Sequence, residues 1–293
     1  MPGDHGIVHN QYLVHVWLLL FLKHIENSSL YPVNLYTKTL LAPQLCSGVV
    51  LDCTDTDKER LVKLRIIHAP LVPYGEALTI QQKLRELRQG EEIPDTLLLL
   101  EHPPVVTLGK RGDHGDLLLS REILAQKGID VAEIDRGGQI TYHGPGQLVG
   151  YVIVNLYHHQ RKLRLFVERL ESSVIRYLAE YHGIEAGLSE EHVGVWVKDA
   201  KIAALGISIS RGVTMHGFAL NINCDLTPFS YIIPCGITDK GVTSTRMLTG
   251  RESDMERARL DYAGVFRDTY GYSETEEFSW DDLNILISEN RTG

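Results

Sequence analysis

The sequence predicts an α/β protein of the α+β type, with a mixed, largely antiparallel sheet and helices packed on one face of it. Three observations carry this. Apolar residues alternate over short stretches such as Leu61–His68 and Val193–Val197, the period of strands. In one long stretch Phe166, Leu170, Val174, Leu178 and Tyr181 recur every three to four residues, the stripe of an amphipathic helix. Strands are joined by tight turns as often as by helices, which is not the pattern of a uniformly parallel sheet.

The first strand is Leu61–His68, where Val62, Leu64 and Ile66 share a face. Ala77–Arg88 is a run of good helix formers closed by Gly90. Thr96–Glu101 is a short apolar run of buried-strand type, stopped by Pro103-Pro104, and Val105–Leu108 resumes as strand. Ser120 caps a short helix that ends near Gly128. A Gly-rich stretch, Arg136–Gln147, leads into the strand Leu148–Leu156. The long helix covers Leu163–His182, with Gly183 at its C-terminus. Val193, Val195 and Val197 run to a turn at Lys198-Asp199-Ala200, and Ile202–Ile209 returns, so Lys201 begins the second strand of a hairpin. Val213–Asn223 is a further strand, Leu226–Ile237 an irregular loop, and Met255–Tyr270 the last helix.

This divides the chain into an extension, 1–58, a main domain, 59–275, and an acidic C-terminal tail, 276–293. The extension shows neither a helical period nor strand alternation. It reads as an amphipathic surface helix, a poorly ordered leader, or translation from a start placed too early. The apolar run Tyr12–Leu22 is too short to span a bilayer and lacks the basic flank of a secretory signal.

With 293 residues, 43% hydrophobic and 23% charged, the chain can bury a large core. A net charge of −9 argues against a nucleic-acid partner. The four cysteines form no CxxC and no zinc-type spacing with histidine, so no metal site is expected, and a reducing, cytoplasmic setting fits them.

Chemistry is suggested at four places. Cys235 stands between Pro234 and Gly236, on backbone suited to a sharp turn that holds a sulfur at a pocket mouth. Alone, such a cysteine is more often a small buried apolar residue. The stretch Arg136–Gln147 sets four glycines (137, 138, 144 and 146) beside Arg136, Thr141, Tyr142, His143 and Gln147, and no Gly-Lys-Ser/Thr closes it as a P-loop. Lys201-Ile-Ala-Ala-Leu-Gly206 pairs a lysine with Ala203, Ala204 and Gly206, small residues that leave room for something bulky. His216–Asn221 alternates as a strand but carries Gly217 inside it, a mark of close approach by a ligand. Cys224 reads as structural, and Cys46 and Cys53 have no evident role.

These stretches, RGGQITYHGPGQLVGY (136–151), GVWVKDAKIAALGISISR (194–211) and VTMHGFALNINCDLTPFSYIIPCGI (213–237), together resemble the lipoyl(octanoyl) transferases over roughly residues 61–270. Val152 and Gly212 depart from the usual pattern, which has proline and an aromatic there. The resemblance implies the fold of biotin and lipoate protein ligases. It also implies a cytoplasmic enzyme that moves an octanoyl group from octanoyl-acyl carrier protein to a lysine of a lipoyl domain, in 2-oxoacid dehydrogenase E2 subunits and glycine cleavage H protein. It makes Cys235 the acyl-thioester nucleophile and Lys201 its activator. Arg136, Gly137, Gly138, Gln139, Ile140, Thr141, Tyr142, His143, Ala204, Leu205, Gly206, Gly217, Phe218 and Ala219 become the substrate site. No cofactor, ATP or metal is implied, because the donor is already a thioester and a cysteine gives another. Lys201 acts either as a base or as a cation that favours the thiolate. Ile202, Leu205, Phe218 and Leu220 are candidates for the acyl tunnel, and Lys110-Arg111 and Arg161-Lys162-Leu163-Arg164 for docking the acidic carrier protein. An ATP-dependent ligase, a transferase acting between lipoyl domains, and a non-catalytic acyl- or lipoyl-domain-binding protein are the competing readings.

Overall fold

A computed structural model describes residues 63–109, 114–134, 139–159, 162–189, 191–233 and 240–289. The extension 1–58 lies outside the described residues, and so do Arg136, Gly137, Gly138 and Cys235.

The strands are β1 (Lys63–Leu71), β2 (Asp95–Glu101), β3 (Val105–Leu108), β4 (Asp130–Glu133), β5 (Ile140–His143), β6 (Gln147–Ile153), β7 (Gly187–Leu188), β8 (Val195–Val197), β9 (Ala200–Ser210), β10 (Val213–Asn221), β11 (Gly241–Val242) and β12 (Glu274–Ser279). The helices are α1 (Tyr74–Gln89), α2 (Arg121–Gln126), α3 (Leu163–His182), α4 (Thr245–Thr249), α5 (Met255–Tyr270) and α6 (Trp280–Glu289). The main sheet runs β12-β1-β2-β6-β10-β9-β8-β7, with β11 beside β9. It is parallel from β12 to β2 and antiparallel from β2 to β7. A small second sheet runs β4-β3-β5.

The expectation of helices on one face is corrected. Leu97, Leu98, Leu99 and Leu100 are all 0% exposed. Successive strand residues point to opposite faces, so four buried leucines in a row require cover on both. Leu97 and Leu99 pack with α3 and α5 through Phe166, Leu170, Tyr262 and Phe266. Leu98 and Leu100 pack with α1 and α6 through Ala77, Ile80, Leu84 and Leu283.

The acidic stretch 276–293 is likewise not a tail over the part described. Gly271, at φ +76°, ends α5, and the chain returns as β12 in parallel beside β1. Glu276 pairs with Lys63 and with Arg65 Nε at 2.6 Å, and Glu277 Oε2 meets His68 Nε2 at 3.0 Å. The carboxylates that make the stretch look like solvated chain are thus partners for side chains of β1. α6 then buries Leu283 completely.

Two further differences bear on the site. Ile140–His143 is a strand where the sequence shows only a Gly-rich stretch, because the β-favouring Ile140, Thr141 and Tyr142, with His143, pair with Val105–Leu108. Val193 stays outside β8 and 59% exposed, because Gly194, at φ +132°, turns the backbone there.

Candidate active site

β5, β6, β9 and β10 converge on a groove with two lobes. The first, about 480 Å³, is lined by Lys201, Gln147, Asn221, Phe229 and Lys240–Val242. The second, about 500 Å³, is lined by Tyr74, Ile140, His143, Val149, Tyr151, Leu205, Gly206 and His216–Phe218. Thr141, Ala204 and Ala219 border both, so the lobes adjoin.

Lys201 lies opposite Trp196 in the β8–β9 register. Its Nζ sits 4.9 Å from the centre of the Trp196 ring, and Lys240 Nζ sits 5.3 Å from the same ring, both within cation–π range. The indole N–H donates to His192 O at 3.3 Å, which fixes the ring. Gly194 makes the slot for the lysine stem: a Cβ there would lie 2.7 Å from Ala203 O and 3.3 Å from Lys201 Cε. The Gly194 N–H donates to Glu171 Oε1 at 2.9 Å, a buried carboxyl on α3 whose pKa burial raises. On the other side Thr243 N–H donates to Lys201 O at 3.0 Å, and Val242 is the register partner of Lys201.

A chain of buried polar groups runs beneath both lobes. His143 Nδ1 is 2.8 Å from Gln147 Oε1. Gln147 Nε2 donates to Tyr142 O at 3.2 Å and to Asn221 Oδ1 at 2.9 Å. Asn221 Nδ2 donates to Thr243 O at 3.0 Å. Behind the second lobe, His102 bridges Val72 O and the Tyr151 hydroxyl, each at 2.6 Å. Burial lowers the His102 pKa to about 4.

The sequence-predicted residues divide. Ile140, Thr141, His143, Ala204, Leu205, Gly206, Gly217, Phe218 and Ala219 border the groove. Tyr142 does not: its ring turns into a separate core cluster, 5.5 Å from Phe229, and burial pushes its hydroxyl up to about 12. Gln139 is absent from the lining of both lobes. Ala203 faces the core under α3 and α5, as do the tunnel candidates Ile202 and Leu220, while Leu205 and Phe218 reach the groove.

The described glycines serve the protein's own packing. A Cβ on Gly217 would collide with Gly150 O, and one on Gly150 with the Phe218 ring, so the close approach expected at Gly217 is that of the neighbouring strand. Gly146, at φ +80°, accepts through its carbonyl from the N–H groups of Ile222, Asn223 and Cys224, and its own N–H donates to Glu101 Oε2 at 2.7 Å. Cys224 is buried, its thiol pushed up to about 12 by burial, and it donates to Asn221 Oδ1 at 3.4 Å. Val152 is a core residue of β6 paired with Leu97, so its departure from the family pattern touches packing rather than a loop. At Gly212 the Tyr157 ring lies where a Cβ would project, at 2.6 Å.

Sequence reasoning missed Tyr74, His102, Tyr151, Trp196 and Lys240. A tyrosine or tryptophan in a strand reads as ordinary strand composition, and a histidine before two prolines reads as a strand end. Only their convergence marks them. Of the basic candidates, Lys110, Arg111 and Arg161 fall outside the described residues; Arg164 is exposed and paired with Glu168 at 2.8 Å.

Residues 73–265 match the family model of the lipoyl protein ligase A/B catalytic domain. Among solved structures, the chain resembles Plasmodium falciparum LipL1 in complex with lipoate (TM-score 0.63, 14% identity, 77% of this chain and 68% of that one). It also resembles a bipartite lipoate protein ligase of Thermoplasma acidophilum (TM-score 0.57, 17% identity, 78% and 91%), solved in a study of that ligase and its E2 lipoyl domain. Fold and groove therefore define a lipoyl-ligase-type catalytic domain. In sequence, the chain is 43% identical over 227 residues to an octanoyltransferase of Caldicellulosiruptor saccharolyticus, covering 77% of this chain and 96% of the relative. It is 54% identical over 215 residues to one of Dictyoglomus turgidum, covering 73% and 87%. The chain belongs to the octanoyltransferase family.

Proposed function

We propose that the protein is an acyltransferase that moves an octanoyl group from octanoyl-acyl carrier protein, through a thioester on Cys235, to a lysine of lipoyl domains in lipoate-dependent enzymes. The acceptors are 2-oxoacid dehydrogenase E2 subunits and glycine cleavage H protein, and the setting is the cytoplasm. Beyond family membership, one observation supports the reading. Lys201 lines a groove together with Phe229 and Lys240–Val242, residues on either side of the segment that carries Cys235. That segment is tied at its start, where Ile233 N–H donates to Asp116 O at 2.8 Å and Leu118 N–H to Tyr231 O at 2.9 Å. It is tied at its end, where Gly241 N–H donates to Asp199 O at 3.2 Å.

In this reading the Cys235 thiolate attacks the donor thioester, and the carrier thiol leaves. A lysine amine of the lipoyl domain then attacks the new thioester and returns Cys235 to a thiol. Lys201 supplies positive charge for the thiolate. The groove residues, with Arg136, Gly137 and Gly138, line the substrate site. Thioester-for-thioester exchange is nearly isoenergetic, so no ATP or metal is required.

Intact mass after incubation with octanoyl-acyl carrier protein, without ATP, tests this. We expect one added octanoyl group, lost on hydroxylamine treatment and absent in Cys235→Ala. An unmodified parent protein would reject the reading.

A further inference from the structure

The floor of the groove is a ladder of cross-strand rows. Gln147 of β6 lies opposite Asn221 of β10. Two residues along β6, Val149 lies opposite Ala219, and Ala219 lies opposite Ala204 of β9. Two further on, Tyr151 lies opposite Gly217, and Gly217 opposite Gly206. Residues two apart share a face of a strand, so all three rows look into the groove. The first row borders the Lys201 lobe, the third borders the second lobe, and Ala204 and Ala219 of the middle row border both.

The rows differ in chemistry. The first carries the amides of Gln147 and Asn221, joined at 2.9 Å. The other two carry nothing larger than a methyl on β9 and β10. They form a trough for an unbranched apolar chain whose polar end lies at the first row. The far end of the trough is shut. Ile153, next on the same face of β6, belongs to the buried cluster of Ala77, Ile80 and Leu84 of α1 and borders neither lobe. α1 is tied to the sheet at this end, where His216 N–H donates to the buried Gln81 Oε1 at 3.0 Å. The Tyr151 ring is fixed as well: its hydroxyl lies 2.6 Å from Nε2 of the buried His102. Swinging that ring aside breaks a buried hydrogen bond.

The length of the trough matches one chain. Four residues of strand separate the first row from the third, about 13 Å, and contact with the ring takes about 4 Å of it, leaving about 9 Å. An extended eight-carbon acyl chain, a zigzag of bonds of about 1.5 Å, is about 9 Å long.

We propose that Tyr151 sets the acyl-chain length the enzyme accepts: the methyl end of an octanoyl group stops against its ring. The inference rests on the reading above, in which the thioester forms beside Lys201, and adds the residue that ends the chain.

Thioester formation, followed by intact mass over time with hexanoyl-, octanoyl-, decanoyl- and dodecanoyl-acyl carrier protein, tests this. In the parent protein we expect the rate to fall about 10-fold or more from octanoyl to decanoyl, because a methylene in a fitted apolar pocket changes rates by about that factor. A flat profile overturns the proposal. Tyr151→Leu opens the end of the trough, so its decanoyl-to-octanoyl ratio should rise about 10-fold or more. Gly206→Ala sets a methyl into the Tyr151 row, at a φ outside the left-handed region, so its hexanoyl-to-octanoyl ratio should rise instead. These ratios are read within one variant, and damage to folding lowers every chain length alike. If Tyr151→Leu fails to fold, Gly206→Ala decides. Rates that fall by one common factor for all chain lengths overturn the proposal and leave the acyl-enzyme reading intact. A parent protein that forms no thioester with any donor sinks that reading, and the inference with it.

Discussion

At Gly194 the backbone takes φ +132°, and a side chain would press on Ala203 O and on the stem of Lys201. An alanine there is strained twice, by backbone and by contact. We expect Gly194→Ala to cost about 1–3 kcal/mol in urea unfolding and, because Lys201 must shift, to reduce transfer about 10-fold or more. A variant that loses stability but transfers normally would show that Gly194 serves the hairpin alone. Cys224 gives the opposite case, a cysteine held out of chemistry. Burial pushes its thiol up to about 12, so almost none is thiolate near neutrality, and the thiolate is the reactive form. Alkylation of the native protein at neutral pH, followed by peptide mapping, should label Cys224 only after denaturation. Of the residues read from the sequence, Lys201 and His143 were legible from their setting among small and Gly-rich neighbours. Tyr142 was not excluded, since nothing in the sequence shows which face of a four-residue strand meets the groove.

At the scale of elements, the helices and long strands follow from periodicity and caps. α3 ends at Gly183 in the left-handed conformation, and α5 begins at Asp254, whose carboxylate accepts from the N–H groups of Glu256 and Arg257. β12 and α6 were hidden by their charge. A strand reading ETEEFS carries no apolar alternation; Glu276 is matched by Lys63 and Arg65, and Glu277 meets His68. Leu283→Ala, on a helix read as tail, should therefore cost about 2–5 kcal/mol in chemical denaturation. An unchanged midpoint would show that α6 adds nothing to the core. The glycine pair Gly150 and Gly217 works at this scale too. It lets β6 and β10 close around the Phe218 ring, so we expect Gly150→Ala to destabilise the sheet by about 1–3 kcal/mol through overpacking.

Across the whole molecule, Asp95 gathers distant parts of the chain. It accepts from Arg88 Nε at 2.8 Å, His159 Nε2 at 2.9 Å, the Tyr272 hydroxyl at 3.0 Å and Asn155 N–H at 3.0 Å. Burial pushes its pKa up, but the His159 hydrogen bond and the Arg88 charge outweigh it and hold the carboxyl below its usual range. A carboxyl lowered on folding contributes stability that is full above its ordinary pKa of about 4 and is lost as pH falls through the lower, folded value. Asp95→Asn leaves the buried Arg88 uncompensated, at about 3–5 kcal/mol near neutrality. The gap from the parent should narrow as pH drops below about 4, as read by urea unfolding at a series of pH values. A constant gap would show that Asp95 is not ionised in the fold. The sequence by itself determined the mixed α+β class, the order of the main elements and the family. These are properties of local period, caps and ordered motifs. Only the tertiary structure decided that helices cover both faces, that the acidic end completes the sheet, and that His102, Tyr151, Gln147 and Asn221 join in buried hydrogen bonds around the groove. Hydrogen-bond direction and burial arise from residues far apart in the chain, and no local pattern carries them.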